Sequence, residues 1–353
     1  MEVSRISNRN SNIELLRICL MLMIIAGHLM MKHEVQSDTF CNYDEGLKLF
    51  FRGAFCVAVN SYVMISGYFG IKFKKERLYH LSFQTFFYSA LFMSLAIGLG
   101  WHEAHFKTDV FAYFPIIAKQ YWFITCYVVL YILSPWINIG AQFLEKDAFR
   151  TLLVVGFFLF YVWPTLSYLF NAPQFIGDSG YGIVNFIYLY MLGRYIKLYN
   201  GLKLGSQFYF WGYIIAVVSL FICQFSISCL LGFKFTSWFS YNTVFCFVGS
   251  VCLFMAFKSI SFHSKKINFW AKPCLAVYLI HMAPFVLSVF CESIGLDSFH
   301  GMSLIGLVLV LSIVIYFVCA VIEMFRQRVM RGLEEKYIAL LMKIPTPIGK
   351  SFG

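Results

Sequence analysis

Three ionisable side chains, Glu14, Arg17 and His28, lie within the first apolar stretch of the sequence, about residues 14–31. At roughly 100° per residue, Glu14 lies about 60° and His28 about 20° from Arg17 around a helix. The three therefore share one stripe, with Arg17 and His28 about 16 Å apart along the axis. Ionisable groups inside a membrane usually face a cavity or a partner. A histidine there can act as a base near neutral pH, and an arginine can hold an anion.

The plain alternative is a salt-bridged helix end formed by Glu14 and Arg17, together with a histidine whose hydrogen bonds a neighbour satisfies. The alignment on one stripe favours a functional site. A second histidine, His281, lies in the apolar segment about 271–291, with Tyr278 one turn earlier on the same face. For His281, a structural hydrogen bond and a catalytic role both remain open.

The densest basic cluster between two apolar segments contains Lys74, Lys75 and Arg77. Such a cluster orients a membrane protein, and it can also hold an anionic cofactor that carries phosphate. Arg194 lies near the end of a later apolar segment on the same predicted side, where it either anchors the helix or meets a cofactor phosphate. Arg52, near the opposite side, is expected to extend to the outer headgroups rather than to line a cavity.

Aromatic residues begin the fourth apolar segment, at Tyr121 and Trp122. They are typical of an interfacial aromatic belt, and such rings can also stack on sugars. The preceding loop contains His102-Glu103-Ala104-His105, which lacks the spacing of the zinc-protease motif, so no metal is expected.

The composition indicates a polytopic membrane protein. The 353 residues are 60% hydrophobic and only 13% charged, whereas soluble domains contain about 25% charged residues. The net charge of +11 is distributed over short segments between apolar runs. This placement argues against a nucleic-acid partner, because a nucleic-acid-binding protein needs a continuous basic stripe. The eleven cysteines are scattered without a C-x-x-C pair, and Cys41 and Cys291 are the one candidate pair for an outer disulfide.

Ten apolar segments are long enough, or nearly so, to cross a bilayer. With the N-terminus inside, 22 of the 28 basic residues fall on the inner side and six on the outer side. The positive-inside rule therefore predicts an all-α protein with both termini in the cytoplasm. The segments are about 14–31, 47–70, 81–101, 121–140, 151–170, 183–199, 208–231, 241–258, 271–291 and 302–324.

Residues 1–324 are predicted to form one transmembrane domain, because no loop is long enough to fold alone. Residues 325–353 are predicted to form a basic cytoplasmic tail on the inner membrane surface. The first apolar segment is expected to remain as a helix rather than to be cleaved as a signal peptide, since it is long and contains charged residues.

The sequence resembles the membrane-bound acyltransferase-3 family. An acidic residue three positions before Arg17, followed by Arg-x10-His ending at His28, is similar to the family's first-helix signature. The family often has an Arg-x-x-Arg pair after its basic loop, whereas this sequence has Lys74-Lys75-Glu76-Arg77. Further similar segments follow in order along the chain: 66–68 before the basic loop, 121–123, 133–135, 191–194 and 278–281.

The resemblance implies an integral-membrane O-acyltransferase of the bacterial inner membrane. Its expected reaction moves an acyl group, usually acetyl, from cytoplasmic acyl-coenzyme A to a hydroxyl of a surface glycan or its lipid-linked precursor. No permanently bound cofactor and no nucleic acid are expected. The implied catalytic residues are His28, Arg17 and Glu14, the implied donor-binding residues are Lys74, Lys75, Arg77 and Arg194, and the candidate substrate residues are Tyr121, Trp122, Tyr278 and His281.

A transporter or flippase is the second hypothesis, because it too would place charges on a membrane stripe. Broken helices or an internal repeat would favour it, and the sequence shows no such repeat. Consumption of acetyl-coenzyme A in the presence of a glycan would distinguish the two functions.

Overall fold

The computed structural model describes residues 10–33, 42–199, 204–232 and 235–344, and it contains no β-strand within these ranges. The chain in these ranges is 79% helical, as the all-α prediction requires. Its helices are α1 Ser11–Lys32, α2 Tyr43–Phe55, α3 Ala58–Phe69, α4 Lys75–Gly98, α5 Phe106–Asp109, α6 Trp122–Phe143, α7 Lys146–Phe157, α8 Trp163–Phe170, α9 Ile183–Tyr199, α10 Ser206–Leu231, α11 Val244–Lys258, α12 Lys265–Trp270, α13 Cys274–His281, α14 Val286–Ser293 and α15 Gly301–Met342.

Within the described ranges, eight helical segments are long and apolar enough to cross a membrane, and the bent pair α13–α14 is a ninth candidate. Helix α9 occupies the place of the sixth predicted segment, but its 17 residues span only about 26 Å. The prediction of an all-α polytopic membrane protein is confirmed. The number of ten crossings and the location of the termini stay predictions.

Helix α1 is the central element of the bundle. Leu16 and Leu20 lie on the opposite side of the helix from Ile25 and Leu29, and all four are fully buried, so two opposite sides of α1 contact other helices. At its first turn, Ser11 Oγ donates to Asn268 Oδ1 at 2.9 Å. The N-terminal end of α1 therefore contacts α12, which the sequence assigns to the same side of the membrane. The Ser11–Asn268 hydrogen bond also fixes the rotation of α1 about its axis.

The outer end of α1 is fixed in the same way. Lys32 Nζ donates to Ser288 Oγ at 2.8 Å, and a ring nitrogen of His33 lies 2.9 Å from the Phe299 carbonyl oxygen. Since α1 is held at both ends, its polar stripe has one fixed orientation inside the bundle.

A 70° bend separates α13 from α14. Pro284 lacks an amide hydrogen and cannot continue the helical ladder. Phe285 then adopts the left-handed conformation with φ +66°, which is unfavourable for a side chain with a Cβ. As a result, α13 ends at His281, which is buried in the protein and contacts His28 in the last turns of α1.

Helices α3 and α9 approach each other at two glycines. A Cβ at Gly67 would overlap the carbonyl of Tyr190, and a Cβ at Gly193 would overlap the carbonyl of Met64. Backbone-to-backbone contact of this kind is the usual role of small residues in membrane helices.

Helix α15 is a single helix of 42 residues that crosses the predicted domain boundary at residue 324 without a break. Arg326 bridges Glu323 and Glu334 at 2.8 and 3.0 Å, and all three side chains are buried. Helix α4 completes this network, because His80 lies 2.9 Å from Glu334 and Tyr88 donates to Glu323 at 2.6 Å. The boundary between a transmembrane domain and a tail stays a prediction, and residues 345–353 lie outside the described ranges.

Among the described cysteines, Cys229 is disulfide-bonded and the others are free thiols. Cys41 lies outside the described residues. Because Cys291 is free, the predicted Cys41–Cys291 pair is wrong. A disulfide at Cys229, at the predicted outer end of α10, is consistent with an oxidising compartment on that side.

Candidate active site

A cavity of about 680 Å³ runs beside α1, and its lining extends from Ile13 to Met31. That stretch corresponds to about 27 Å of helix, or nearly the thickness of a hydrocarbon core. The predicted stripe faces this cavity, because its three ionisable residues all belong to the lining: Glu14, Arg17 and His28.

The predicted inner end of the stripe holds an ion pair. Arg17 Nη1 donates to Glu14 Oε2 at 2.8 Å, one turn apart on the same helix. The Tyr62 hydroxyl donates to the backbone carbonyl of Arg17 and joins α3 to α1 at this level. These contacts hold the guanidinium at the cavity wall and leave some of its N–H groups for a ligand.

The other end of the stripe is a histidine pair. His28 Nδ1 lies 3.1 Å from His281 Nε2, and His281 Nδ1 lies 2.6 Å from the carbonyl oxygen of Val277. A carbonyl can only accept, so His281 Nδ1 carries the hydrogen and neutral His281 Nε2 is an acceptor. His28 Nδ1 must then donate, which places the lone pair of neutral His28 on Nε2.

The Nε2 atom of His28 has no hydrogen-bond partner among the described residues. His281 is almost completely buried behind His28 and does not line the cavity, whereas His28 does. His28 therefore presents a basic nitrogen to the cavity, and His281 fixes its tautomer and ring orientation in the way the third member of a catalytic triad does.

The aromatic candidates divide between the cavity and the protein interior. Trp122 and Tyr278 line the cavity, and the Tyr278 ring centroid lies 5.9 Å from that of His281. Tyr121 is buried outside it, where its hydroxyl donates to the carbonyl of Leu279 at 3.1 Å. The contacts of Tyr121 join α6 to α13.

The basic candidates also divide. Arg77 lines the cavity, whereas Lys74 and Lys75 do not. Lys74 is exposed and meets α6 through its backbone, whose amide donates to Tyr131 at 2.9 Å. Arg194 lies against Gly70, a cavity residue with φ +70° whose Cβ would overlap the guanidinium. The Nε of Arg194 is buried without a hydrogen-bond partner in the described part of the chain.

Two lysines beside Arg194 extend this basic surface, and the sequence analysis did not identify them as binding residues. The ammonium groups of Lys197 and Lys258 lie 5.0 and 5.8 Å from the centroid of the Tyr68 ring. Neither lysine forms an ion pair with a carboxylate in the described ranges. Lys197 follows Arg194 by one helical turn, which is a usable sequence signal, but Lys258 reaches the cluster only through the packing of α11.

The other half of the cavity is aromatic. Trp122, Tyr181 and Tyr241 form a continuous wall, with ring centroids 4.6 Å apart for Trp122–Tyr181 and for Tyr181–Tyr241. Arg52 also lines the cavity, with its guanidinium 4.6 Å from the Phe239 ring centroid. The prediction that Arg52 extends to the outer headgroups rather than lining a cavity is wrong, because α2 orients this residue toward the interior of the bundle.

The described residues contain no group of three or more His, Cys, Asp or Glu side chains that could hold a metal ion. His102 instead pairs with Asp109 at 3.0 Å. The arrangement that remains is a basic nitrogen near the Met31 end of the cavity lining on α1, with most of the cations toward the Ile13 end and an aromatic wall in the other half. Such a site can take a proton from a hydroxyl while it holds an anionic second substrate.

Comparisons with known proteins agree with this chemistry. The family model described as an acyltransferase domain, of the acyltransferase-3 type, matches residues 10–324. No curated protein and no solved structure shows significant similarity to the chain. The matched range contains all the cavity residues described above and covers most of the chain. The chain belongs to the acyltransferase-3 family, and it is a multi-pass membrane acyltransferase.

Proposed function

We propose that this protein is an O-acetyltransferase of the bacterial inner membrane. It moves acetyl from cytoplasmic acetyl-coenzyme A to a sugar hydroxyl of a surface polysaccharide or its lipid-linked precursor. The observation that carries the proposal is the free Nε2 of His28 in a cavity with a cationic and an aromatic half.

His28 acts as the general base in this mechanism. Its Nε2 takes the proton of the acceptor hydroxyl while the hydroxyl oxygen attacks the thioester carbonyl carbon. The tetrahedral intermediate collapses with cleavage of the C–S bond. The departing thiolate of coenzyme A takes the proton from the His28 imidazolium, so that the free thiol and the O-acetyl sugar are the products.

Arg17 binds the donor at a distance from the reacting carbon. It lies about 16 Å from His28 along α1, too far for its guanidinium to contact an oxyanion at His28. It is, however, on the side of the cationic cluster of Arg77, Arg194, Lys197 and Lys258. The phosphates of coenzyme A would bind to this cluster, and the thioester at the end of its extended arm would reach His28.

The acceptor occupies the aromatic half. The faces of Trp122, Tyr181 and Tyr241 offer a broad apolar surface to a sugar ring, and the Tyr278 ring borders the histidine pair. With donor and acceptor entering from opposite ends, both reach His28 without sharing a route. Transfer from a cytoplasmic donor to a glycan beyond the membrane needs such a passage.

The test is acetyl-coenzyme A consumption by the purified full-length protein in lipid nanodiscs, followed as free thiol, with bacterial surface glycans as acceptors. His28→Ala is expected to lower kcat by about 10²–10⁴-fold, the usual contribution of a general base. His263→Ala, at an exposed loop position, is the matched control and should retain full activity. Wild-type activity in the His28 variant would overturn the assignment, and movement of glycan without thiol release would favour the transporter.

A further inference from the structure

Arg52 lies close to the level of His28 in the bundle. A Cβ at Gly27 would be 3.9 Å from the Cβ of Phe55, so these two positions of α1 and α2 face each other. The two helices run in opposite directions, and Arg52 precedes Phe55 by three residues, or about 4.5 Å. Measured along the helix axis, Arg52 is therefore within about one helical turn of the level of His28, on the side of the aromatic wall.

The guanidinium of Arg52 forms no hydrogen bond and no ion pair with any residue that the structure describes, and it lies 4.6 Å from the centroid of the Phe239 ring. Glu45 is a carboxylate that interacts with it electrostatically, but beyond ion-pair distance, and Glu45 lies 3.8 Å from Lys48 instead. Several other buried or half-buried cations in the spanning helices have carboxylate partners: Arg17 with Glu14, Lys48 with Glu45, and Arg326 with Glu323. Half-buried Arg194 and Lys258 have none in the described ranges, but they belong to the basic cluster around Tyr68 and Gly70, away from the aromatic wall.

An arginine inside a membrane protein is costly unless an anion compensates its charge. The ring of Phe239 supplies only a small part of that compensation, about 0.5–2 kcal/mol for a cation–π contact. Since Arg52 lines the cavity, the missing anion can arrive as part of a ligand. Its planar fork of N–H donors is suited to the two oxygens of a carboxylate or a phosphate.

We propose that the acceptor is an acidic glycan, and that Arg52 binds its carboxylate or phosphate group beside the hydroxyl that His28 deprotonates. This inference rests on the proposed function and identifies the class of its acceptor. The aromatic wall holds the sugar ring through its apolar face, and Arg52 fixes the position of the ring by its charged group. A neutral glycan would leave the arginine without a partner and would bind more weakly.

The first step of the test identifies the acceptor in cells. Surface glycans from cells with the wild-type protein and with His28→Ala are compared by mass spectrometry. The unit that loses acetyl in the variant is expected to carry, or to adjoin, a carboxylate or a phosphate. An acetylated unit without any such group would overturn the inference. If no glycan changes, the proposed function itself fails. If a neutral unit loses acetyl, the proposed function stands and only the inference about the acceptor fails, so the two failures are distinguishable.

The second step measures kinetics with that glycan after its acetyl groups are removed by mild base. For the wild-type protein, neutralising the acceptor is expected to raise its KM by about 10- to 100-fold, the range for a charged hydrogen-bonded pair. Carbodiimide-assisted reduction removes sugar carboxylates, and mild acid removes a lipid diphosphate, so the treatment that raises the KM identifies the source of the charge. A KM that neither treatment changes overturns the inference.

Variants of Arg52 complete the test. Arg52→Gln is expected to raise the acceptor KM by a similar factor, to leave the KM for acetyl-coenzyme A unchanged, and to show no preference for the charged acceptor. Arg52→Lys keeps the charge and should recover part of the preference. Arg150→Gln, an exposed arginine beside Asp147, is the matched control. If Arg52→Gln does not fold, Arg52→Lys with a wild-type acceptor KM and a wild-type charge preference overturns the inference.

Discussion

At the residue scale, the central feature is a pair of histidines with unequal surroundings. Val277 fixes the hydrogen of His281, His281 fixes the hydrogen of His28, and the remaining lone pair faces the cavity. The Val277 carbonyl oxygen thus determines, through His281, which ring nitrogen of His28 carries the hydrogen and which one keeps its lone pair. In the proposed mechanism, His281 is therefore a positioning residue that acts through His28.

Substitution of His281 tests this role. His281→Leu removes the acceptor for His28 Nδ1–H, and we expect kcat to fall by roughly 10²-fold, less than the roughly 10⁴-fold that a wrong tautomer costs a serine protease. His281→Gln offers an amide oxygen to the same hydrogen and should recover about tenfold of that loss. Steady-state kinetics with a fixed acceptor would measure both. A merely structural role would lower the melting temperature without rescue by glutamine.

The lysines around Tyr68 give a second prediction at this scale. Lys197→Gln combined with Lys258→Gln should raise the KM for acetyl-coenzyme A by about 10²-fold or more, because each charged contact to a phosphate contributes about 1.5–3 kcal/mol. The kcat should remain within about twofold, since neither lysine reaches the reacting carbon. Lys336→Gln, at an exposed position of α15, is the control. An unchanged donor KM would remove the pair from the donor site.

At the element scale, the site depends on how closely α3 and α9 pack. Helix α3 carries the cavity residues Tyr62 and Ser66, and helix α9 carries Arg194. Gly67 and Gly193 permit contact between the two backbones, and this contact brings the cations of α9 beside the cavity residues of α3.

Gly67→Ala should separate these helices. The added methyl group would overlap the backbone carbonyl of Tyr190, which cannot move aside as a flexible side chain could. We expect a loss of about 1–3 kcal/mol in stability, the usual cost of overpacking, and a higher KM for acetyl-coenzyme A. Thermal unfolding in detergent and donor kinetics would measure the two effects. Gly306→Ala is the matched control, since a Cβ at this exposed helical position meets nothing within 4 Å.

At the scale of the whole molecule, the cavity runs along nearly the full length of α1 and changes in character from cationic to aromatic. The basic residues concentrate on the side predicted to face the cytoplasm, where acetyl-coenzyme A is available. A protein of this design can take its donor from one side of a membrane and its acceptor from the other.

The predicted orientation can be checked with reporter fusions. Green fluorescent protein fused after residue 353 should fluoresce, because the C-terminus is predicted to be cytoplasmic. Alkaline phosphatase inserted after Glu103, in the loop between α4 and α5, should be active, because this loop is predicted to lie outside. The opposite pair of results would show that the orientation is the reverse of the predicted one. The cationic half of the cavity would then face away from the cytoplasmic donor, which would contradict the proposed donor site.

The sequence by itself determined the fold class and the part of the candidate site that lies on α1. Apolar segments of bilayer length indicate the helices because every backbone group in lipid must be paired within its own segment. The positions of Glu14, Arg17 and His28 along one helix follow from its period alone, so their common stripe was predictable, and the cavity confirms it. Family membership was predictable for the same reason, since its signature is local.

Tertiary structure decided everything that depends on contacts between distant helices. His281 and His28 are 253 residues apart, and only the packing of α13 on α1 makes them a pair. Lys258 joins Lys197 at one ring, and Arg52 turns into the cavity, because of helix rotations that no local pattern encodes. In a membrane every helix is apolar on most faces, so hydrophobic periodicity carries little information about which face meets which neighbour.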